Sequence, residues 1–275
     1  MLEINFELEY LTMTNATPPT GDEREVRLLS STQIDGAPIA YIIVMAAVVT
    51  ALSFIPFSLI IGSGGSFPLS QGVLGLVGWV LGPVAGGISS GVGALLGVFL
   101  APHTAGPIPL MRILTSVYAS FAAGAMVIGQ KRRNWWMPVA GIAVLALAYL
   151  AWRAVILNGV GAWVVLAVTF VNWSAILLFV LPTRKRIAGW LRSPKLPQVM
   201  VGLALGTWMI YGITHVIQAA IIYHLQNYPA EVWVTLIPVI PFENAVRAAV
   251  GVVIGSGVIA GLRAIGLVKP EHAGY

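Results

Sequence analysis

Apolar side chains dominate the chain in long runs that no charged residue interrupts. Residues 36–111 include no Asp, Glu, Lys or Arg, and further uncharged runs cover 113–130, 134–152, 154–183 and 196–230. A helix needs about 20 mainly apolar residues to cross a bilayer. Divided at Pro, Gly and charged residues, the runs predict an all-α, polytopic membrane helix bundle with about eight spans, at 38–61, 67–81, 84–100, 108–129, 136–156, 160–181, 198–226 and 242–267.

The second and third spans are short and meet at Gly82-Pro83, a pair that breaks a helix. The sequence leaves two readings of this region open, a tilted helical hairpin and a re-entrant element.

Composition agrees with lipid as the main solvent. Hydrophobic residues make up 58% of the 275 residues and charged residues 9%, with a mean hydropathy of +0.88, whereas soluble domains carry about 25% charged residues. The basic residues form short clusters between spans, so we expect no nucleic-acid partner. The chain has no Cys and only four His, which excludes disulfides and makes a site for soft or borderline metals unfavourable. We therefore expect neither a metal nor a cofactor.

The distribution of Lys and Arg predicts the orientation, because cytoplasmic loops of membrane proteins are enriched in both. Basic residues cluster at 131–133, 184–186, 192, 195, 263 and 269, whereas the alternate loops at 62–66, 101–107, 157–159 and 227–241 contain none. We expect both termini on the cytoplasmic side of a prokaryotic inner membrane. The predicted organisation is a polar, acidic tail at 1–36, a transmembrane domain at 37–268 and a short tail at 269–275.

Several stretches resemble one family of membrane proteins. They are residues 39–56, FPLSQG at 67–72, LGPVAGGISSGVGALLG at 81–97 and PFENAVRAAVG at 241–251. Together they resemble the substrate-binding membrane subunits, or S-components, of energy-coupling factor (ECF) type ABC transporters. The resemblance covers roughly half of the chain and implies a six-helix core. The eight predicted spans would then include an extra pair within 131–195.

The resemblance also implies partners. In that family a face of small residues on the first helix docks a transmembrane coupling subunit, which two cytoplasmic ATPase subunits drive. In this chain the role falls on Ala47 and Ala51, one turn apart; ordinary packing within the bundle is the alternative. The chain lacks the G-x-x-x-x-G-K-[ST] phosphate loop, so ATP hydrolysis by that machinery would need those partners. We expect the chain itself not to be an enzyme.

Candidate solute-binding residues concentrate in the seventh span. Trp208, Tyr211, His215 and Gln218 are spaced three, four and three residues apart, which places them on one helix face. Aromatic walls with few polar anchors are typical of small-molecule pockets. Other candidates are Ser70 and Gln71 beside the short hairpin, and Arg112 and Arg153 at outer ends of spans. Either arginine offers a partner for an anionic group, although snorkelling to the interface is the alternative.

These features predict capture of a small, vitamin-like solute, planar and anionic, for ATP-driven import. The loop at 62–66 is either a gate or a plain connector. Glu243 and Arg247, at i and i+4, are expected to pair with each other. Two other functions stay open: an assembly or scaffold subunit of a membrane complex, and an intramembrane hydrolase that uses Ser89 or Ser90 with His215 or His103.

Overall fold

The computed structural model of the chain describes residues 32–59, 66–128, 134–266 and 269–275. Two short antiparallel hairpins pair β1 (Gln33–Ile34) with β2 (Ala37–Pro38) and β3 (Pro56–Leu59) with β4 (Ser66–Pro68). A 3-10 turn, Leu69–Val73, follows β4. The ten described α-helices are α1 (Ile39–Leu52), α2 (Leu74–Leu81), α3 (Pro83–Leu100), α4 (Pro109–Val127), α5 (Trp136–Trp152), α6 (Ala162–Val168), α7 (Phe170–Val180), α8 (Thr183–Leu191), α9 (Leu196–Gln226) and α10 (Ala230–Ile265).

Contacts between connecting segments show that the helices run between two ends of one bundle. At one end, the Gly274 amide donates to the Trp79 carbonyl and the Glu271 amide to the Gly36 carbonyl, so the β1–β2 hairpin, the end of α2 and the C-terminal tail lie together. We call this the basic end, because α8 and the end of α10 bring their Lys and Arg residues there. The β3–β4 hairpin, the α3–α4 connection and the α9–α10 connection mark the opposite end, which we call the hairpin end.

Five described helices are long and apolar enough to cross a membrane: α3, α4, α5 with the π-helical turn that follows it, α9 and α10. The pair α6–α7, bent by 63°, is a sixth if it counts as one span. Two shorter apolar segments, α1 and 69–81, also run between the two ends. The fold is therefore an all-α bundle of a multi-pass membrane protein. Basic residues 131–133, loop residues 60–65 and most of the predicted acidic tail lie outside the described residues.

Helices α2 and α3 form a tight helical hairpin about Gly82. Its φ of +86° lies in a region that favours glycine. All eight residues of α2 are buried. An added Cβ at Gly86 would lie 2.9 Å from Cα of Gly78, and one at Gly78 would lie 2.1 Å from the carbonyl oxygen of Ser120 on α4. Only glycines allow this approach, so the Gly-rich sequence here is explained by packing inside the bundle.

The structure differs from the sequence-based expectation in the last span. We expected a loop over 227–241 and a helix from 242, but α10 begins at Ala230 and continues through Pro238 and Pro241. Each proline removes one backbone hydrogen bond, and spanning helices tolerate such losses where neighbouring groups compensate. Glu243 and Arg247 consequently lie in the middle third of α10 instead of at its start. Gly257 and Gly261 have the four-residue spacing that is typical of close helix contacts, but no described atom lies within 4 Å of an added Cβ at either position.

Candidate functional site

Buried polar side chains collect at the hairpin end, between α4, α9, α10 and the 3-10 turn after β4. We call them the polar cluster, and each is at most 8% exposed. Polar groups in an apolar interior are costly unless they are hydrogen-bonded, so their concentration in one place needs a specific reason. The members are Gln71, Arg112, Thr115, Tyr211, His215, Gln218, Glu243 and Arg247.

Arg247 occupies the centre of the polar cluster and is 2% exposed. Its Nε donates to Oε1 of Gln71 at 3.1 Å, and an Nη atom donates to Oε2 of Glu243 at 3.3 Å. The guanidinium carbon lies 4.1 Å from the ring centre of Tyr211, within the range of a cation–π contact. Arg247 is therefore held by a carboxylate, an amide and an aromatic face together.

The β3–β4 hairpin covers this pair. The rings of Phe57 and Phe67 lie 4.7 and 5.4 Å from the guanidinium carbon of Arg247. The hydroxyl of Ser58 donates to the other carboxylate oxygen of Glu243. The hairpin is thus fastened to α10 through the ion pair at the centre of the polar cluster.

Arg112 contributes a second buried cation at the start of α4. One Nη atom donates to the carbonyl and hydroxyl oxygens of Thr104 at 3.1 and 3.2 Å, and the other donates to the hydroxyl of Ser53. Gly97 makes room for the guanidinium, since an added Cβ would lie 2.7 Å from its Nη atom. Among the described residues all three acceptors are neutral, and no described ion pair includes Arg112.

Gln218 and His215 present polar atoms from α9. Nε2 of Gln218 donates to the hydroxyl of Thr115 at 2.9 Å, while its buried Oε1 has no partner among the described residues. Nδ2 of Asn172 donates to the carbonyl of Gly212 and also lies 3.0 Å from Nδ1 of His215. Because Nδ2 of Asn172 can only donate, Nδ1 of His215 must accept, and the proton of the neutral imidazole then resides on Nε2 of His215. His215 thus offers a donor to the cavity that it lines.

Two small cavities adjoin the polar cluster, and both are lined by Phe67, Gln218 and Ile222. One, of about 20 Å³, also touches Gln71 and Arg112. The other, of about 50 Å³, also touches His215 and Glu243. These volumes suit one or a few water molecules, whereas pockets for drug-sized ligands measure about 300–1,000 Å³. The polar cluster is therefore closed, and admission of a larger solute requires its walls to move.

The structure brings together most of the residues singled out from the sequence. Tyr211, His215, Gln218, Arg112 and Gln71 belong to the polar cluster, and Ser70 is buried beside it, where its hydroxyl accepts from that of Ser53 at 3.4 Å.

Trp208 and Arg153 lie elsewhere. The Trp208 indole donates to the hydroxyl of Ser174 at 3.2 Å and its ring packs edge-on against Phe170. Arg153 donates to the His224 carbonyl and to Oδ1 of Asn227, at the end of α9.

Helix α1 carries two pairs of small residues one turn apart, Ala47 with Ala51 and Ala46 with Thr50, and the surroundings of the two pairs differ. Ala46 is buried, and the hydroxyl of Thr50 donates to the Gly93 carbonyl at 3.2 Å, so this pair packs against α3. Ala47 and Ala51 are both exposed. The face that carries them is thus available to lipid or to another protein.

The serines considered for hydrolysis make contacts typical of helix packing. Ser89 donates to the Ile42 carbonyl at 2.9 Å, and the hydroxyls of Ser90 and Ser120 lie 2.5 Å apart. Among the described hydrogen bonds, neither Ser89 nor Ser90 has a histidine as its partner. Nε2 of His103 instead lies 3.3 Å from the carbonyl oxygen of Phe54.

Sequence reasoning named Glu243 and Arg247 only as an ion pair, which the structure confirms, and did not single out Asn172 or Thr115. The first two carried a signal, because they are charges inside an otherwise apolar segment, but the helical spacing suggested only mutual pairing. Asn172 and Thr115 carried none, since single polar residues in spanning helices are common and their partners are on other helices.

Comparisons of the chain with models of protein families, with curated proteins and with solved structures find no match.

Proposed function

We propose that this chain is a solute-capturing membrane subunit of an importer, and that it binds a small anionic solute at the polar cluster beneath the β3–β4 hairpin. The observation that carries the proposal is the charge of the cluster. The cluster contains two buried arginines, Arg112 and Arg247, and one carboxylate, Glu243, which pairs with Arg247. Its described charged groups therefore leave one positive charge in excess. An uncompensated buried cation is costly, and intramembrane ionisable residues commonly mark solute pathways.

Neighbouring groups support a ligand carboxylate or a similar anion at Arg112. A guanidinium binds such groups through two parallel hydrogen bonds. Gln71 and Gln218 line the same cavity, and Oε1 of Gln218 has no donor among the described residues. A solute that carries both an anionic group and an N–H or O–H donor would satisfy both Arg112 and Gln218.

The hairpin supports a gated site. It contributes Phe57, Ser58 and Phe67 to the closed arrangement, and it attaches to the bundle through few polar contacts. Outward movement of this hairpin would enlarge the adjoining cavities. In the proposal it opens to admit the solute and closes over it.

The resemblance to S-components suggests how capture is coupled to import. The exposed Ala47 and Ala51 face of α1 would dock a transmembrane coupling subunit, driven by two cytoplasmic ATPase subunits, in a prokaryotic inner membrane. Small side chains allow a partner helix to approach closely, and the van der Waals packing that results is one of the forces that associate helices in lipid.

Native mass spectrometry of the protein purified from its own membrane tests the binding site. We expect a bound anionic small molecule in the wild type, its loss in Arg112→Met, and its retention in Arg153→Met. The second variant removes the same charge outside the polar cluster. Equal retention in both variants, or a bound molecule without an acidic group, would contradict the proposed site.

The docking surface is tested separately. We expect Ala47→Trp to abolish co-purification of partner subunits and solute uptake, while Ala148→Trp, an identical change at an exposed position on α5, leaves both unchanged. Thermal stability of both variants should stay near that of the wild type, since neither residue is buried. Unchanged uptake in Ala47→Trp would exclude this face as the coupling surface.

A further inference from the structure

A third cavity lies at the basic end, on the opposite side of the bundle from the polar cluster. It measures about 460 Å³, which is within the usual size of small-molecule pockets, about 300–1,000 Å³. The turn after α8, the last turn of α10 and the C-terminal tail form its walls. The lining residues include Arg192, Pro194, Leu262, Arg263, Lys269 and Tyr275.

Three cationic side chains, all of them exposed, surround this cavity, which is open to the surface. Arg192, Arg263 and Lys269 line it, and no carboxylate side chain does so among the described residues. No described ion pair with a side-chain carboxylate includes any of the three. Nζ of Lys269 donates to the backbone oxygen of Tyr275 and lies 4.8 Å from the centre of its ring. Burial of the amine lowers the pKa of Lys269, and repulsion by the positive charges of Arg192 and Arg263 lowers it further. An anion in the cavity would relieve this repulsion.

The arginines are held in place by backbone carbonyls at helix ends. Arg263 donates to the carbonyls of Ser193 and Leu191 at 2.7 and 2.9 Å. Arg192 donates to the carbonyl of Val127 at the end of α4. A guanidinium has five N–H donors, so these bonds fix the orientation and leave donors for a ligand. Three cations positioned in this way around a cavity suit an anion with several acceptor oxygens.

We propose that this cavity binds a phosphate group, supplied by an anionic phospholipid headgroup or by free phosphate. The position favours the lipid. Helix α8, which leads into the cavity wall, buries Ile187, Ala188 and Leu191 and exposes Lys185 and Arg186, a pattern typical of helices that lie in the headgroup region. Clusters of basic residues beside spanning helices attract anionic lipids. The site is independent of the proposed import function.

The test compares two double variants of the full-length chain that lose the same charge. Arg192→Gln/Lys269→Gln removes two cations of the cavity, and Lys185→Gln/Arg186→Gln removes two from the exposed face of α8. Arg263 is left unchanged because it caps the end of α8. The proteins are reconstituted in nanodiscs of phosphatidylcholine alone or with phosphatidylglycerol. Retained lipid is counted by native mass spectrometry, and thermal stability is recorded with and without inorganic phosphate.

We expect phosphatidylglycerol retention to fall about 100-fold in the cavity variant, from about tenfold for each charge-assisted hydrogen bond to the phosphate. The α8 variant should change less than about threefold, because its two cations do not line the cavity. Stabilisation of the wild type but not of the cavity variant by inorganic phosphate, without any lipid dependence, supports the phosphate site and identifies free phosphate as the ligand. Equal losses in both variants overturn the proposal. A wild type that responds to neither probe also overturns it.

Discussion

The ion pair between Glu243 and Arg247 makes a quantitative prediction about the hairpin end. Glu243→Gln keeps the size of the side chain and its ability to accept a hydrogen bond, but removes its charge. Arg247 would then remain buried with Gln71, a neutral amide at position 243 and aromatic rings as its surroundings. The same change weakens the acceptor for Ser58, the polar link between α10 and the β3–β4 hairpin.

The expected cost follows from the geometry. Two unit charges 4 Å apart interact by about 4 kcal/mol at an effective dielectric constant near 20, and removal of one partner of a buried pair costs about 3–5 kcal/mol. Because Gln71 and the Tyr211 ring continue to stabilise the cation, we expect a loss of about 3 kcal/mol. For a chain of this size about 2–4 °C of melting temperature corresponds to each kcal/mol, so the midpoint should fall by about 6–12 °C.

Thermal unfolding of the purified protein in detergent, followed by intrinsic fluorescence, provides the measurement. Glu231→Gln, the same substitution at an exposed position on α10, is the matched control and should leave the midpoint within about 2 °C, as surface substitutions usually do. The double variant Glu243→Gln/Arg247→Met removes both charges and should be less damaged than the sum of the single variants, by about 1–3 kcal/mol. Strict additivity, or a single variant as stable as the wild type, would refute the paired arrangement.

Three further predictions test the packing around the polar cluster. In Gly97→Ala the new methyl group displaces the guanidinium of Arg112, so bound anion measured by native mass spectrometry should be lost; unchanged occupancy would contradict the assigned position. Gly78→Ala places Cβ 2.1 Å from a backbone oxygen of α4 and should abolish the monodisperse peak in size-exclusion chromatography. Gly257→Ala, which meets open space, should preserve that peak, and equal profiles would refute the α2–α4 contact. Asn172→Leu leaves buried acceptors unpaired and should cost about 1–3 kcal/mol of stability, visible as a lower unfolding midpoint; an unchanged midpoint would argue against the His215 contact.

The general architecture was predictable because membrane solvation acts on each segment separately. An uncharged run such as 154–183 has to satisfy its backbone hydrogen bonds internally, and a helix is the local way to do so. Every predicted span accordingly overlaps a described helix. The break at Gly82-Pro83 was also readable from the sequence, since a positive φ and a missing amide donor are local properties.

The ends of helices and the contact partners of individual side chains were less predictable, because they depend on contacts between segments that are distant in the sequence. Pro238 and Pro241 normally end a helix, and only the surrounding bundle allows α10 to begin at Ala230. Trp208 shares a helix face with Tyr211 and His215. It lies at the edge of that face, however, and its indole turns towards α7, where Ser174 offers an acceptor. Helical spacing predicts which side chains share a face, but not which neighbouring helix each one meets.

Arg247 shows how the same limit affects the inference of function. Spacing at i and i+4 with Glu243 made mutual pairing a sufficient explanation from sequence alone. In the structure Arg247 of this ion pair also donates to Gln71 and lies against the two aromatic rings of the β3–β4 hairpin. The ion pair therefore joins the hairpin to α10. An anion bound at Arg112 would lie near this pair and compete with Glu243 for the positive field. Solute binding and hairpin position would then be coupled by electrostatics, without any movement of the helices.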